Sequence, residues 1–417
     1  MARAVASAAH AAAEAAARTA YGRLIALLAR GNRDIAAAED ALATALARAL
    51  ARWPADGVPA NPEAWLFTVA RRELGHGRSR AATVLAAEPA LALLDDERAS
   101  PPAAELPDER LKLLFVCTHP AITPRVQAPL MLQVVLGLDA ARIAAAFLVS
   151  PAAMGQALVR AKARIRDAGV PFTVPEPAER PARLAAIRTA TYAAYGAGWE
   201  ALDGDRAPDL AAEALFLARL VATLAPDDPE NAGLLALILL CEARRPARRD
   251  AAGAFVPLDR QDVSQWHRDL VREGEAALRA AAARGQPGRF QLEAAIQSLH
   301  NHQRITGADL SAPLIGLYDR LLGLAPSIGA AIARAAALTA AGAAPAALAA
   351  LDDLAERCSD HQPWWAARAR ALAALGENDA AQAAATRAAG LSADPAVRTF
   401  LLGKDFLAPP PAWQAGG

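Results

Sequence analysis

Residues 123–167, TPRVQAPLMLQVVLGLDAARIAAAFLVSPAAMGQALVRAKARIRD, constrain the fold of this chain most, because they read as three short helices joined by tight turns. The first is expected over about 123–136, capped by Thr123 and stopped by Gly137. Pro124 suits a first helical position, while Pro129 should kink the helix or delay its start. The second opens at Asp139 and ends near Leu148. Ser150 then caps a third helix, where Pro151 lacks only an N–H that would have no partner. Met154, Leu158, Ala161 and Ile165 share one face of it and should pack on the earlier helices. The opposite face carries Gln156, Arg160 and Arg166, with Lys162 and Arg164 at its flanks, and such cations suit phosphates. The pattern is that of a DNA-binding helix-turn-helix. A helical pair with a solvated basic face is the plainer alternative.

Helical periodicity continues through the rest of the chain, and alternating β-branched runs are nearly absent, so the fold class is all-α. At 417 residues there is room for two or three domains. The formal net charge is zero, so any contact with nucleic acid must be a local patch. Cys117, Cys241 and Cys358 are too widely spaced for a disulfide framework or a zinc pattern. Cys358-x-x-His361 and His300-x-His302 lack second ligand pairs, so no metal is expected. A reducing, cytoplasmic setting fits this cysteine usage. His10, Glu14 and Arg18 interrupt the alanine-rich N-terminus, which leaves no apolar core for a signal peptide. The apolar run 232–241 is far too short to span a membrane. Phosphate loops, HExxH and nucleophile elbows are absent from the sequence, and neither catalytic activity nor a cofactor is expected. Glu213, Glu242, Asp259 and Asp262 could form a carboxylate cluster, as helix surfaces often do.

The chain divides into blocks. Residues 1–80 form a helical block with helices expected at 8–29, 35–53 and 62–75, the last begun by the cap Asn61-Pro62. An acidic, proline-bearing linker follows at 81–108, then the helix-turn-helix block at 109–168, led by a helix at 109–117. A second proline-rich linker spans 169–181. Residues 182–405 make a larger helical domain, and the tail 406–417 is expected to be disordered. In that domain 328–341 with 345–357, and 364–375 with 379–390, read as two helical pairs. Their turn residues Gly342 and Gly376 stand one tetratricopeptide period apart, about 34 residues. A plain helical bundle is the alternative. The insert 248–261, RRDAAGAFVPLDRQ, reads as a loop or a short hairpin.

The first block ends in NPEAWLFTVARRELGHGRSR. Trp65 beside Arg71, Arg72, Arg78 and Arg80, opposed only by Glu73, could serve a single-strand surface, since bases stack on aromatics and phosphates pair with cations. Equally, Trp65 and Phe67 could be core and the arginines solvated.

Taken together, AEDALATALARALARW, NPEAWLFTVARR, LPDERLKLLFVCTHPAI and the helix-turn-helix resemble an extracytoplasmic-function (ECF) sigma factor of RNA polymerase. LPDERLKLLFVCTHPAI and EARRPARRDAAGAFVPLDRQDVSQWHRDLV resemble the subgroup with a C-terminal tetratricopeptide-like extension. The resemblance covers nearly the whole chain. It implies a region-two domain that grips the polymerase clamp and opens the −10 element, and a region-four domain that reads the −35 element. Carried over by position, Glu39, Asp40 and Leu42 match the clamp-facing helix, Trp65, Arg71 and Arg72 the promoter-melting helix, and Gln156, Arg160 and Lys162 the recognition helix. The implied partners are core RNA polymerase, promoter DNA and a protein or peptide docked on the C-terminal domain, with no membrane.

Three departures qualify that likeness. Ala43-Thr44 stand where relatives usually carry a polar-acidic pair, and His76, between Gly75 and Gly77, replaces an aspartate; the two glycines should fray the helix end. Ala157 occupies a commonly basic position. At the base-reading start of the recognition helix only Gln156 can hydrogen-bond a base edge, with adenine preferred. Arg160, Lys162, Arg164 and Arg166 position the helix on phosphates without reading sequence. A sigma-like scaffold that mediates protein–protein interaction without promoter-specific initiation is the alternative.

Overall fold

Helices account for nearly all regular structure in the computed structural model, which describes residues 2–31, 33–82, 108–147, 149–200 and 210–408; the side chains of 2–9, 17–19, 76–82, 146 and 200 are not described. Among the described residues β structure is limited to isolated bridge positions, an antiparallel bridge between Arg249 and Phe255 and a bridge residue at Ala308. The chain is all-α, as expected. It forms two compact units, Met1–Leu224 and Ala225–Gly417. Residues 83–107 of the linker expected at 81–108 and residues 409–417 of the tail lie outside the described residues.

The first unit opens with α1 (Ala2–Arg30), α2 (Ile35–Asp56) and α3 (Pro62–Ala82). Leu24, Ile25, Leu28 and Ala29 of α1 are buried, as are Ala38, Leu42, Ala45 and Ala49 of α2, a stripe at i, i+4, i+7 and i+11. Asn61 caps α3 by accepting from the Ala64 N–H at 3.0 Å. The α3 helix does not fray at Gly75 and Gly77; its backbone runs on to Ala82.

Next come α4 (Arg110–Cys117), α5 (Pro124–Leu136), α6 (Ala140–Ala146) and α7 (Pro151–Asp167). Caps at Asp139 and Ser150 form as expected, accepting from Arg142 N at 2.8 Å and Ala153 N at 3.2 Å. Thr123 makes no side-chain cap, and Pro129 lies inside α5 without delaying its start. Burial of 127–132 and Val134–Val135 in the unit's core offsets the hydrogen bond that Pro129 cannot donate. The LKLLFVC stretch of the LPDERLKLLFVCTHPAI motif builds this core: Leu113 to Cys117 are all buried, and the Ala121 N–H donates to His119 Nδ1 at 3.2 Å in the turn that follows.

Two further helices, α8 (Arg180–Glu200) and α9 (Leu210–Leu224), complete the first unit. Sequence placed them in the C-terminal domain. Contacts group them with the N-terminal blocks, because α8 packs on α4 and α5 and Arg183 donates to the Phe115 carbonyl.

The second unit contains α10 (Pro229–Glu242), α11 (Arg268–Ala282), α12 (Arg289–Thr306), α13 (Ser311–Leu324), α14 (Ile328–Ala340), α15 (Ala344–Asp352), α16 (Gln362–Ala374), α17 (Asn378–Leu391), α18 (Pro395–Leu402) and α19 (Lys404–Leu407). Pairs α14–α15 and α16–α17 turn at Gly342 (φ 79°) and Gly376 (φ 80°), a left-handed conformation that glycine adopts without penalty. Small buried residues, Ala369, Ala381, Ala384, Ala385 and Ala388 among them, let the last pair approach closely. The helix expected to run to 357 ends at Asp352, and a 3₁₀ turn at Ala355–Arg357 follows. Glu242, Asp259 and Asp262 of the second unit do not form the expected carboxylate cluster: Glu242 is held by Arg245 at 2.9 Å, and Asp262 caps a 3₁₀ turn through Ser264 N at 2.9 Å.

His300 on α12 sits 3.4 Å from the Tyr318 hydroxyl, and burial, assisted by the charge of Arg244, pushes its imidazole down to about 4. An unfolded histidine titrates near ~6.5, so the unfolded chain takes up the proton first as the solution is acidified. Stability is therefore full above pH ~6.5 and falls as pH drops towards 4, by about 3 kcal/mol. Urea unfolding followed across that window should show this slope, and His300→Gln should flatten it.

Candidate nucleic-acid interface

Helix α7 carries the candidate DNA face. Met154, Leu158, Ala161 and Ile165 are buried, as their spacing predicted. The side chains of Gln156, Arg160 and Arg164 are exposed and make no hydrogen bond or ion pair with other described residues. Arg160 and Arg164 join Arg125 of α5 at a groove of about 640 Å³ floored by Ile122, Phe147 and Met154. The arrangement offers three guanidinium groups to an anionic backbone. Ala157, where a basic residue is common, lines the same groove.

Lys162 and Arg166 behave differently. The Lys162 ammonium lies 2.5 Å from Glu39 Oε2, and both side chains are close to buried, at 11% and 16% exposure. Burial raises the Glu39 carboxyl above its usual range despite the pull of Lys162. Burial likewise raises the Tyr21 phenol, which faces Glu39. Arg166 approaches Asp34, the cap of α2, at 3.8 Å, and Arg33 donates to the Gly169 carbonyl at 3.2 Å. The residue expected at the polymerase clamp and a residue expected on DNA are therefore partners of each other. Of the other clamp candidates, Asp40 is exposed, while Leu42 is 1% exposed and belongs to the α2 core stripe. Ala43 and Thr44 are exposed.

On α3, Trp65 is buried with its ring edge-on to Trp53, centroids 5.5 Å apart, so in this conformation it packs rather than stacks on bases. Arg71 is exposed and lies over the Phe67 ring at 5.7 Å. Arg72 is half-buried. Glu73, which opposed these arginines in sequence, is paired with Arg48 at 2.6 Å. The side chains of Arg78 and Arg80 lie outside the description.

Sequence reasoning missed Gly22. A Cβ there would sit 2.2 Å from the Val135 carbonyl oxygen, so α1 and α5 touch backbone to backbone. Opposite Gly137 (φ 72°), the Tyr21 ring would meet a Cβ at 3.1 Å. These contacts join the first helical block to the helix-turn-helix block. Among the described residues no cluster of three or more His, Cys, Asp or Glu could hold a metal ion, and no helix is long and apolar enough to cross a membrane.

Residues 183–282 match the Family of unknown function (DUF6596). Over 398 residues the chain is 37% identical to an uncharacterized protein of Rhizobium meliloti (strain 1021), covering 93% of this chain and 94% of that protein. The chain belongs to the same family as that protein. No solved structure matches it.

Proposed function

We propose that this protein is an ECF-type sigma factor that binds core RNA polymerase and promoter DNA in the cytoplasm, with a C-terminal helical-repeat domain that regulates it or docks a protein or peptide. The observation that carries this reading is the capped helix α7 of a helix-turn-helix, which presents Gln156, Arg160 and Arg164 with no intramolecular partners. The order of sequence motifs along the chain agrees with it. Base reading rests on Gln156, so the −35 element is held mainly through phosphates.

A run-off transcription assay with core polymerase tests the proposal, using the full chain and a version ending at Leu224, where the first unit ends. Promoter-specific transcripts from either form support it; their absence from both refutes it. A difference between the two forms would assign the regulatory role to the second unit. Because Arg160 contributes a phosphate contact and no base contact, Arg160→Ala should weaken binding to all sequences alike. The slope of log affinity against log salt should become shallower by about 0.9, measured by fluorescence anisotropy on a labelled duplex.

One observation favours a second reading, the sigma-like scaffold without promoter-specific initiation: Glu39 and Lys162 are engaged with each other and Leu42 is core. Polymerase binding without run-off product would select it.

A further inference from the structure

The second unit has a cavity of about 810 Å³ on the side where α12, α14 and α16 face one another. Two elements rim it that a plain helical repeat would not supply. One is the insert after α10, through Pro257, Leu258 and Asp259; the other is the C-terminal helix α19, through Leu407 and Ala408. The rims are clasped together. Arg260 donates to the Asp405 carbonyl at 2.8 Å, and Arg249 pairs with Asp394, the cap of α18. Phe255 of the insert packs edge-on against Phe400, with centroids 5.4 Å apart, and Phe400 packs on Phe406 at 5.5 Å. The LDRQ motif of the sequence is thus spent on building this site: Leu258 and Asp259 line it, Arg260 makes the clasp, and the Gln261 carbonyl takes Arg304 Nε at 2.8 Å.

The lining is mainly apolar, with a few polar groups converging on it. Arg370 on α16 is half-buried and makes no hydrogen bond or ion pair with other described residues. Arg304 has committed only its Nε, which leaves its terminal N–H groups available. Buried Gln303 makes no side-chain hydrogen bond with other described residues, and the His300–Tyr318 pair adds a hydroxyl. Asp259 is the single acid at the lining. Asp262 lies within electrostatic reach of Arg304, which leaves Arg370 as the lining cation with no carboxylate partner among the described residues. Arg370 faces the cavity, and its planar fork of N–H donors matches a carboxylate.

We propose that this cavity is a binding site for a small amphipathic monoanion, a carboxylate on an apolar body, with Arg370 as its principal charge partner. The volume falls in the range of small-molecule sites, roughly 300–1,000 Å³. A single unpartnered guanidinium matches a carboxylate better than a dianionic phosphate monoester. The clasp joins the two rims, which suits a compact ligand better than a long peptide running along the repeat. The inference concerns the second unit alone and stands whether or not the first unit acts in transcription.

The test uses the full-length protein and cis-parinarate, a fatty acid whose fluorescence rises on burial. A saturable single-site signal is expected, displaced by decanoate and not by decylammonium. Arg370→Ala should weaken binding about 10–100-fold, the loss expected for a charge-assisted hydrogen bond, and Arg370→Lys should recover part of it. Ala336→Trp, at an exposed lining position, should block the site. Unchanged circular dichroism would show that both variants remain folded. Equal binding by wild type and Arg370→Ala, or equal displacement by decylammonium, would overturn the proposal. Displacement by an apolar tetrapeptide with a free C-terminus, but not by decanoate, would overturn it in favour of a peptide site.

Discussion

Lys162→Ala should destabilise the contact between α2 and α7 by about 3 kcal/mol, because it leaves the Glu39 carboxylate nearly buried with its cation gone. The loss should not be that of a surface ion pair, which is worth about 0–1 kcal/mol. Replacing both partners at once, Glu39→Gln with Lys162→Met, should recover most of it, since two neutral groups carry no unpaired charge. Hydrogen exchange read at α2 and α7 measures the effect, because both helices should open more readily in the single variant and close again in the double one. If exchange at α2 is unchanged in Lys162→Ala, the pair does not hold the two blocks together.

That pair bears directly on the proposed function. While the two are paired with each other, Lys162 of α7 cannot reach DNA on the sigma reading, nor Glu39 of α2 reach polymerase. On the sigma reading, engagement of polymerase must separate α7 from α2, and the free energy of the contact is part of its cost. Arg160 and Arg164 need no such release, so weak, sequence-tolerant DNA binding should already be available in the resting chain.

The second large effect is at Trp65. Trp65→Ala should cost about 3–5 kcal/mol, the range for emptying an aromatic core site, because the ring is buried against Trp53. Trp65→Phe should cost less, since it keeps an aromatic ring against Trp53. Thermal unfolding of both variants checks this. A Trp65 that stacked on unpaired bases from a surface position would behave in the opposite way, with little loss of stability and a clear loss of single-strand binding.

Much of the local structure was legible in the sequence because its causes are local. Ser150, Asp139 and Asn61 cap helices through bonds to residues three positions ahead. The buried face of α7 follows from helical spacing, and Gly342 and Gly376 mark turns that need a positive φ. Leu42 could have been placed in the core from the same kind of evenly spaced stripe, with Ala38, Ala45 and Ala49. The motif resemblance drew it toward a docking role instead. What stayed hidden depends on pairs far apart along the chain. Nothing near Lys162 points to Glu39, and nothing near Gly22 points to the Val135 carbonyl. Glu73 is the sequence neighbour of Arg71 and Arg72, but its partner is Arg48 on another helix. The candidate site was therefore readable as a list of residues and not as an arrangement, and the arrangement decides which of them are available.

Engagement of RNA polymerase can be read most directly from size-exclusion chromatography of the full-length protein with core enzyme. A stable one-to-one complex is expected, weakened by Asp40→Arg on the exposed face of α2. Failure to co-elute, under conditions in which an established sigma factor binds the same core enzyme, would contradict it.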